Sequence, residues 1–451
     1  LIPVGAIDHI EVLQDGAAAQ YGTDAIAGVV NIILKSANHG GTISATAGQY
    51  YKGDGETAAI SGNFGLPLGD KGFLNITLEN RYHGFSVRGG ADRRVQNLDG
   101  SILASANAIN KAGVPGADNF PVVNKINGDA QYNIYNAYLN GAYTLSEAVE
   151  AYFTASYGHR LASAFENYRL PSKVTRVVAG KTIVPFPNGF DPKEHLEEDD
   201  WSVGGGFKGK AGDWDWDLAS TLGHVRDQVF TLNSANASLY VDTGLTPTDF
   251  YDGAFRSTEW TTNLDVAREF DAGMASPVTL ALGAEYRRNT FEISAGDPFS
   301  IYKEGGQSYP GFQPTDAGTH HRTNYGVYAD LAAEPTQGLK VDLAARYEHY
   351  SDFGSTAVGK LTTRYDFNDM FAVRGTVSTG FRAPSLAEEY YSATNVAPTF
   401  AVVQLPANSP AAKQIGFSDL KAEKSTNFSV GFVAHPGGGV QITADAYQIQ
   451  I

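Results

Sequence analysis

The stretch LKVDLAARYEHY, residues 339–350, alternates between two kinds of side chain with a period of two. Val341, Leu343, Ala345 and Tyr347 fall on one face, and Asp342, Arg346 and Glu348 on the other. Successive side chains of a strand point to opposite sides, whereas a helix would mix these residues at every turn. The segment therefore reads as a strand with one apolar and one charged face. It is about twice as long as the strands of ordinary globular domains, which run to about 5 or 6 residues.

The same pattern recurs in both directions. In residues 324–333, Tyr325, Val327, Ala329 and Leu331 oppose Asn324, Gly326, Tyr328 and Asp330. In residues 73–81, Leu74, Ile76 and Leu78 oppose Asn75, Thr77, Glu79 and Arg81, and in 441–447, Ile442, Ala444 and Ala446 alternate with Gln441, Thr443, Asp445 and Tyr447. Read in order, such segments predict about fifteen strands. Breaks at 145–147, 211–213, 271–277, 335–338, 368–369 and 436–439 are tight. The intervening ones, at 85–130, 171–198, 231–257, 296–321 and 392–422, are long, and only 51–55 and 352–355 depart from the rule. Tight turns on one side and long loops on the other are the arrangement of an outer-membrane barrel, with the loops outside. An odd number of strands ending in mid-strand leads to the expectation of further strands, because an open edge in lipid leaves backbone groups unpaired at several kcal/mol each.

Composition agrees. Aromatic residues make up 12% of the 451 and Gly reaches 50, yet no run of about 18 apolar residues suggests a transmembrane helix. The net charge of -16 disfavours nucleic acid. Without Cys there is neither a disulfide framework nor a thiolate metal site. The first residues show no basic region followed by an apolar core, so no secretory signal is visible.

The front of the chain is different in kind. In IDHIEVLQDGAAAQYGTDAIAGVVNIILK, residues 7–35, Ile7, Ile10, Val12 and Leu13 form a short strand with Glu11, Asp15 and Gly16 a turn, and residues 17–20 a helical turn. Gly22 and Gly28 then break the chain before a second strand at 29–34. This stretch closely resembles the end of the plug domain of TonB-dependent receptors, through Glu11, Asp15, Gly16, Tyr21, Gly22, Gly28 and Asn31. His9 and Gln14 stand where the family often has Arg, and Asp15 and Gly16 where it often has Gly-Pro. TGFRAPSLAEE, residues 379–389, resembles a strand-to-loop motif of the family's barrel through Gly380, Phe381, Arg382, Pro384, Ser385 and Leu386. LKAEKSTNF, residues 420–428, resembles the start of the following strand, with Ala422 where Pro is usual.

The resemblance implies an all-β membrane protein: a large antiparallel transmembrane β-barrel of 22 strands, about 15 of them present, with the C-terminal part of an α/β plug. Residues 1–36 would be the end of the plug and 37–451 a barrel truncated before its final strands. It further implies TonB-dependent uptake across the bacterial outer membrane, with a ferric siderophore or related iron complex as the first expectation and oligosaccharide, cobalamin or another nutrient as alternatives. TonB with its inner-membrane energising complex, a small-molecule or chelate ligand, and outer-membrane lipid and lipopolysaccharide are the implied partners, around a monomer. A passive porin is the rival of a different class, and the plug-like front argues against it.

Candidate ligand contacts come from the long loops: Tyr302, Tyr309, Phe312, His320, His321, Tyr390 and Tyr391. The two His stand beside Arg322 and suit a chelate or an anion, although adjacent side chains on a strand diverge, which favours a solvated loop base. Asp213, Asp215 and Asp217 could share one face and bind calcium, but they read better as lumen residues between Trp214 and Trp216 of an aromatic girdle. The acidic run Glu197, Glu198, Asp199 and Asp200 is expected at a solvated loop end, and the glycines 204–206 and 437–439 at a strand bend and a turn. No nucleophile elbow and no HExxH occurs, so no catalytic residue, cofactor or resident metal is expected.

Overall fold

The computed structural model describes residues 2–14, 18–101, 103, 123–396 and 399–451. Asp15 and Gly16 lie outside the described residues. The front segment contains strand β1 (Ile7–Gln14), helix α1 (Ala18–Tyr21) and strand β2 (Gly28–Leu34). There follow β3 (Gly41–Gly48), β4 (Thr57–Pro67), β5 (Gly72–His83), β6 (Gln131–Ser146) and β7 (Val149–Phe165). A loop hairpin, β8 (Arg176–Val178) and β9 (Lys181–Ile183), precedes β10 (Lys193–Ala211) and β11 (Trp214–Leu232). Helix α2 (Ala237–Thr243) leads to β12 (Phe250–Phe270), β13 (Val278–Ser294), β14 (Gly318–Thr336), β15 (Leu339–Tyr350), β16 (Gly354–Asn368) and β17 (Phe371–Arg382). Helix α3 (Leu386–Tyr390), β18 (Ala393–Val396), β19 (Ala401–Gln404) and α4 (Pro410–Gln414) belong to the last long loop, before β20 (Glu423–Gly437) and β21 (Val440–Gln450).

Among the described residues, fifteen strands form one sheet in the order β3, β4, β5, β6, β7, β10 to β17, β20, β21, with every neighbouring pair antiparallel. Flat, such a sheet would be about 70 Å wide at roughly 4.8 Å per strand. Yet the front segment touches both ends of it. The side-chain amide of Asn140 on β6 donates to the carbonyl of Lys35 (2.9 Å), while Ser425 on β20 donates to Ile26 (2.6 Å). The sheet must therefore curl around the segment.

The curled sheet is inverted relative to a water-soluble protein. Its inner face buries Asn75, Thr77, Asn324, Arg346, Glu348 and Asn427, while Leu78, Val327, Leu343, Tyr347 and Val430 are exposed on the outer face. Such an exterior is stable only against lipid. Rings collect at two levels of that exterior. Trp260 packs against Tyr286 and Tyr286 against Tyr325 midway along their strands, with centroids 5.6 and 5.4 Å apart. Tyr365, Phe367, Phe371 and Phe432 form the other belt, at the tight turns. On β12, Trp260 and Phe270 bracket ten residues of rise, about 24 Å once a tilt near 45° is allowed for, close to the apolar band of about 25 Å on outer-membrane barrels.

The strands run further into the loops than alternation predicts. β10 begins at Lys193, β12 at Phe250 and β14 at Gly318. The acidic run expected at a loop end therefore lies inside β10, where Glu198 pairs with Arg160, and Asp199 accepts from Tyr157 and His159, both at 2.9 Å. Above the lipid, cross-strand ion pairs replace hydrophobic alternation while the backbone ladder continues unchanged, so hydropathy underestimates strand length. Asp213, Asp215 and Asp217 have separate partners: Arg268 (2.8 Å), Lys210 (3.0 Å) and the Tyr152 hydroxyl (2.5 Å).

Candidate functional site

The front segment is a hairpin whose strands pair Glu11 with Asn31, and the Asn31 amide donates to the Glu11 carboxylate at 2.9 Å. His9, where the family often has Arg, is exposed and sits beside Asp8 and Glu11. Between the strands, α1 and the turn after it dock on the inner wall of β14 to β17 and β20. Ala18 and Ala25 are buried there with Tyr350, Val358, Phe381 and Ala383. Burial of a ring such as Phe381 contributes about 2 to 3 kcal/mol.

Polar contacts fix the register of this docking. Gln20 donates to Asp330, the Ala383 N–H donates to the Thr23 hydroxyl at 3.1 Å, and Ser425 and Asn427 both donate to the Ile26 carbonyl. Two glycines make the approach possible. Gly22 has φ +79°, and a Cβ there would lie 2.8 Å from Arg346 and Glu348. A Cβ at Gly380 would lie 3.1 Å from the Ile26 backbone. Gly380, Ser425 and Asn427 belong to the two barrel motifs singled out in the sequence, so those motifs form the seat of the front segment. The wall carboxylates need no cation from that segment: Arg346 bridges Glu285 (3.1 Å) and Glu348 (2.5 Å), and Arg287 also reaches Glu285.

Above the seat lies a cavity of about 230 Å³ lined by Thr23, Asp24, Arg287, Arg322, Tyr350 and Arg382 among others. A second cavity of about 570 Å³ opens beyond it within the last long loop, lined by Tyr391, Gln404, Leu405, Lys421 and Glu423, and the two share Arg382 and Ala387. Helix α3 forms part of the partition. Its N-terminus is closed by a capping box, in which Ser385 accepts from the Glu388 N–H and the Glu388 carboxylate accepts from the Ser385 N–H.

Arg322 anchors this helix. Its buried guanidinium reaches Asp352 (2.5 Å), Glu389 (2.8 Å) and the Pro384 carbonyl (2.5 Å), and it lies 5.3 Å from the centre of the Phe353 ring. Burial pushes the Glu389 carboxyl up to about 7, against the pull of Arg322 and helped by Asp352. Sequence reading placed Arg322 only as a neighbour of two His and passed over Asp24, Asp352 and Glu389. Their signal lay in position within or beside motifs, not in residue type.

Five of the seven candidate contacts come together around one aromatic cluster, Tyr309, Phe312, Tyr390 and Tyr391 with His320 stacked on its edge, while Tyr302 and His321 lie apart. Tyr391 lines the outer cavity. Phe312 is buried beneath Phe255, Tyr309 and Tyr391, in an aromatic cluster that also holds Phe291 and Leu386. His320 stacks on Tyr390 with centroids 3.8 Å apart, while His321 points to the other side and meets Thr290. Tyr302 donates to Asp242 of α2 at 2.9 Å, in a different loop pair. Asp316 ties the two loops together by accepting from Ser392 and Thr394.

Comparison with known proteins places this geometry. Residues 174–451 match the family model described as TonB dependent receptor-like, beta-barrel. The vitamin B12 transporter BtuB of Vibrio cholerae is 23% identical over 406 residues, which cover 88% of this chain and 51% of the relative. The probable TonB-dependent siderophore receptor PirA of Acinetobacter baumannii is 24% identical over 449 residues, covering 95% and 52%. The chain thus spans about half the length of the curated relatives it matches. In architecture it is similar to the ferric enterobactin receptor PfeA of Pseudomonas aeruginosa, with a TM-score of 0.66 at 15% identity over 99% of this chain and 58% of that one. The barrel signature covers more than half of the residues and the curled, inverted sheet has the matching architecture: the chain belongs to the TonB-dependent receptor family.

Proposed function

We propose that the chain serves TonB-dependent uptake of a scarce chelated nutrient across the bacterial outer membrane, with a ferric siderophore as cargo. Residues 1–36 are then the end of the plug and 37–451 the barrel, with the tight turns in the periplasm and residues 36–41 entering from that side. TonB and its inner-membrane complex supply the work, and lipid and lipopolysaccharide surround a monomeric barrel.

The observation that carries this reading is the front segment seated inside the curled sheet, with Ala18 and Ala25 against Phe381 and Tyr350. A passive pore needs an open lumen, whereas an energised receptor needs a removable obstruction. Uptake of this kind also needs binding that is tight in one state of the plug and weak in another. The siderophore assignment draws on the relative named a siderophore receptor and on the aromatic loops, and the similarity to vitamin B12 transporters makes cobalamin the second cargo. The test is uptake of a ferric siderophore and of cyanocobalamin by cells expressing the complete receptor, with and without TonB. Uptake undiminished by loss of TonB would overturn the receptor reading. Entry of cobalamin alone would reassign the cargo.

A further inference from the structure

Arg382 is the residue at which the two cavities and three parts of the molecule meet. It is the last residue of β17 and lies opposite Glu423, the first residue of β20, in the ladder. Its guanidinium reaches Glu423 at 3.4 Å, Glu388 of α3 at 2.9 Å and Asp24 of the plug turn at 3.9 Å. One cation thus serves a barrel strand, a loop helix and the plug.

Glu388 is held by a second contact, and Asp24, which also feels Arg287 across the inner cavity, sits on a constrained turn. Glu388 spends its second oxygen on the Ser385 N–H at 2.7 Å, so the oxygen aimed at Arg382 moves only with α3. Asp24 has φ +72°, a conformation that L residues seldom adopt, and it follows Thr23, whose hydroxyl is held by the N–H of the residue after Arg382. Movement of either element therefore changes what the guanidinium can reach.

We propose that Arg382 is a positioning residue that couples the extracellular loop bearing α3 to the seating of the plug turn. An anionic group of the cargo, a carboxylate or a deprotonated catechol, entering the outer cavity competes with Glu388 for the guanidinium. A guanidinium that turns to the cargo leaves Asp24 as well as Glu388, and the plug turn loosens at the moment the loop engages. The guanidinium is about one third exposed, which leaves these pairs weak enough to exchange. This inference rests on the plugged-receptor reading.

The test is hydrogen–deuterium exchange on the complete receptor in detergent, followed in peptides covering 18–34 and 383–391. Arg382→Gln is expected to speed exchange about fivefold in both peptides. Asp24→Asn speeds the plug peptide and, through Arg382, shifts the loop peptide, and Glu388→Gln, which keeps an acceptor for the helix cap, speeds the loop peptide and shifts the plug peptide. In an Arg382→Gln background Asp24→Asn no longer reaches the loop peptide, while its effect on the plug peptide through Arg287 remains. Arg364→Gln, which breaks a pair with Asp366 near the tight turns, moves neither. Plug exchange unaltered by Arg382→Gln overturns the proposal. Should that variant not fold, unaltered plug exchange in Asp24→Asn does so alone. Exchange is read without transport, so loss of TonB dependence in uptake would sink the transport reading while leaving this coupling standing.

Discussion

Two arginines hold the same short helix, and they do so in opposite regimes. Arg322 is 6% exposed and makes contacts of 2.5 to 2.8 Å to Asp352, Glu389 and a carbonyl; Arg382 is 35% exposed and makes contacts of 2.9 to 3.9 Å to Glu388, Glu423 and Asp24. A buried pair contributes little net stability when intact but costs heavily when one partner is removed, because the remaining charge is stranded. An exposed pair is worth at most about 1 kcal/mol and is screened by salt. Arg322 is therefore a fixed hinge-pin for residues 383–391, and Arg382 is the contact able to change partners.

The largest way to break this contrast is Arg322→Ala, which leaves Glu389 buried, and Asp352 partly exposed, without their cation. A local loss of about 3 to 5 kcal/mol is expected, read as a collapse of exchange protection in 383–391 with the barrel strands unaffected. Gly380→Val comes next. Its side chain would strike the Ile26 backbone and Ser425, costing about 1 to 3 kcal/mol of seating. Proteolysis of residues 18–34 should then accelerate while α3 stays protected.

The third test is pH. The folded Glu389 carboxyl sits near 7, above its ordinary value of 4.5, so between those values the folded loop binds a proton that the unfolded loop has released. Stability of the loop must therefore fall as pH rises from about 4.5 to about 7 and be level above that. Exchange in α3, corrected for its intrinsic pH dependence, should show this fall, and Glu389→Gln should abolish it. The smallest effect is that of salt. Raising ionic strength from about 0.05 to 0.5 M should loosen the Arg382 contacts up to fivefold and leave those of Arg322 unchanged.

Much of the architecture is readable in the sequence. Val341, Leu343 and Tyr347 opposite Asp342, Arg346 and Glu348 is the pattern of a strand with one apolar and one polar side, and among the described residues the large sheet has fifteen strands where about fifteen are expected. The strand ends were less legible, since Glu198 with Arg160 and Asp199 with His159 extend the ladder by ion pairs that no single segment reveals. The site was least legible. Aromatic loop residues drew attention by type, and only the folded chain shows that Phe312 is buried among Tyr309, Tyr390 and Tyr391 and that His320 stacks on Tyr390.

Sequence by itself determined the period-two wall, the order of turns and loops, and the two motifs around Gly380 and Ser425. Tertiary structure alone decided that those motifs receive residues 18–26, that Arg322 is buried and Arg382 is not, and that three carboxylates from three elements share one guanidinium. The physical reason is range. Alternation is a local consequence of backbone geometry and is written in adjacent residues, whereas the contact of Asp24 with Arg382 joins positions 358 residues apart in the chain and exists only once the sheet has curled around the segment that carries Asp24.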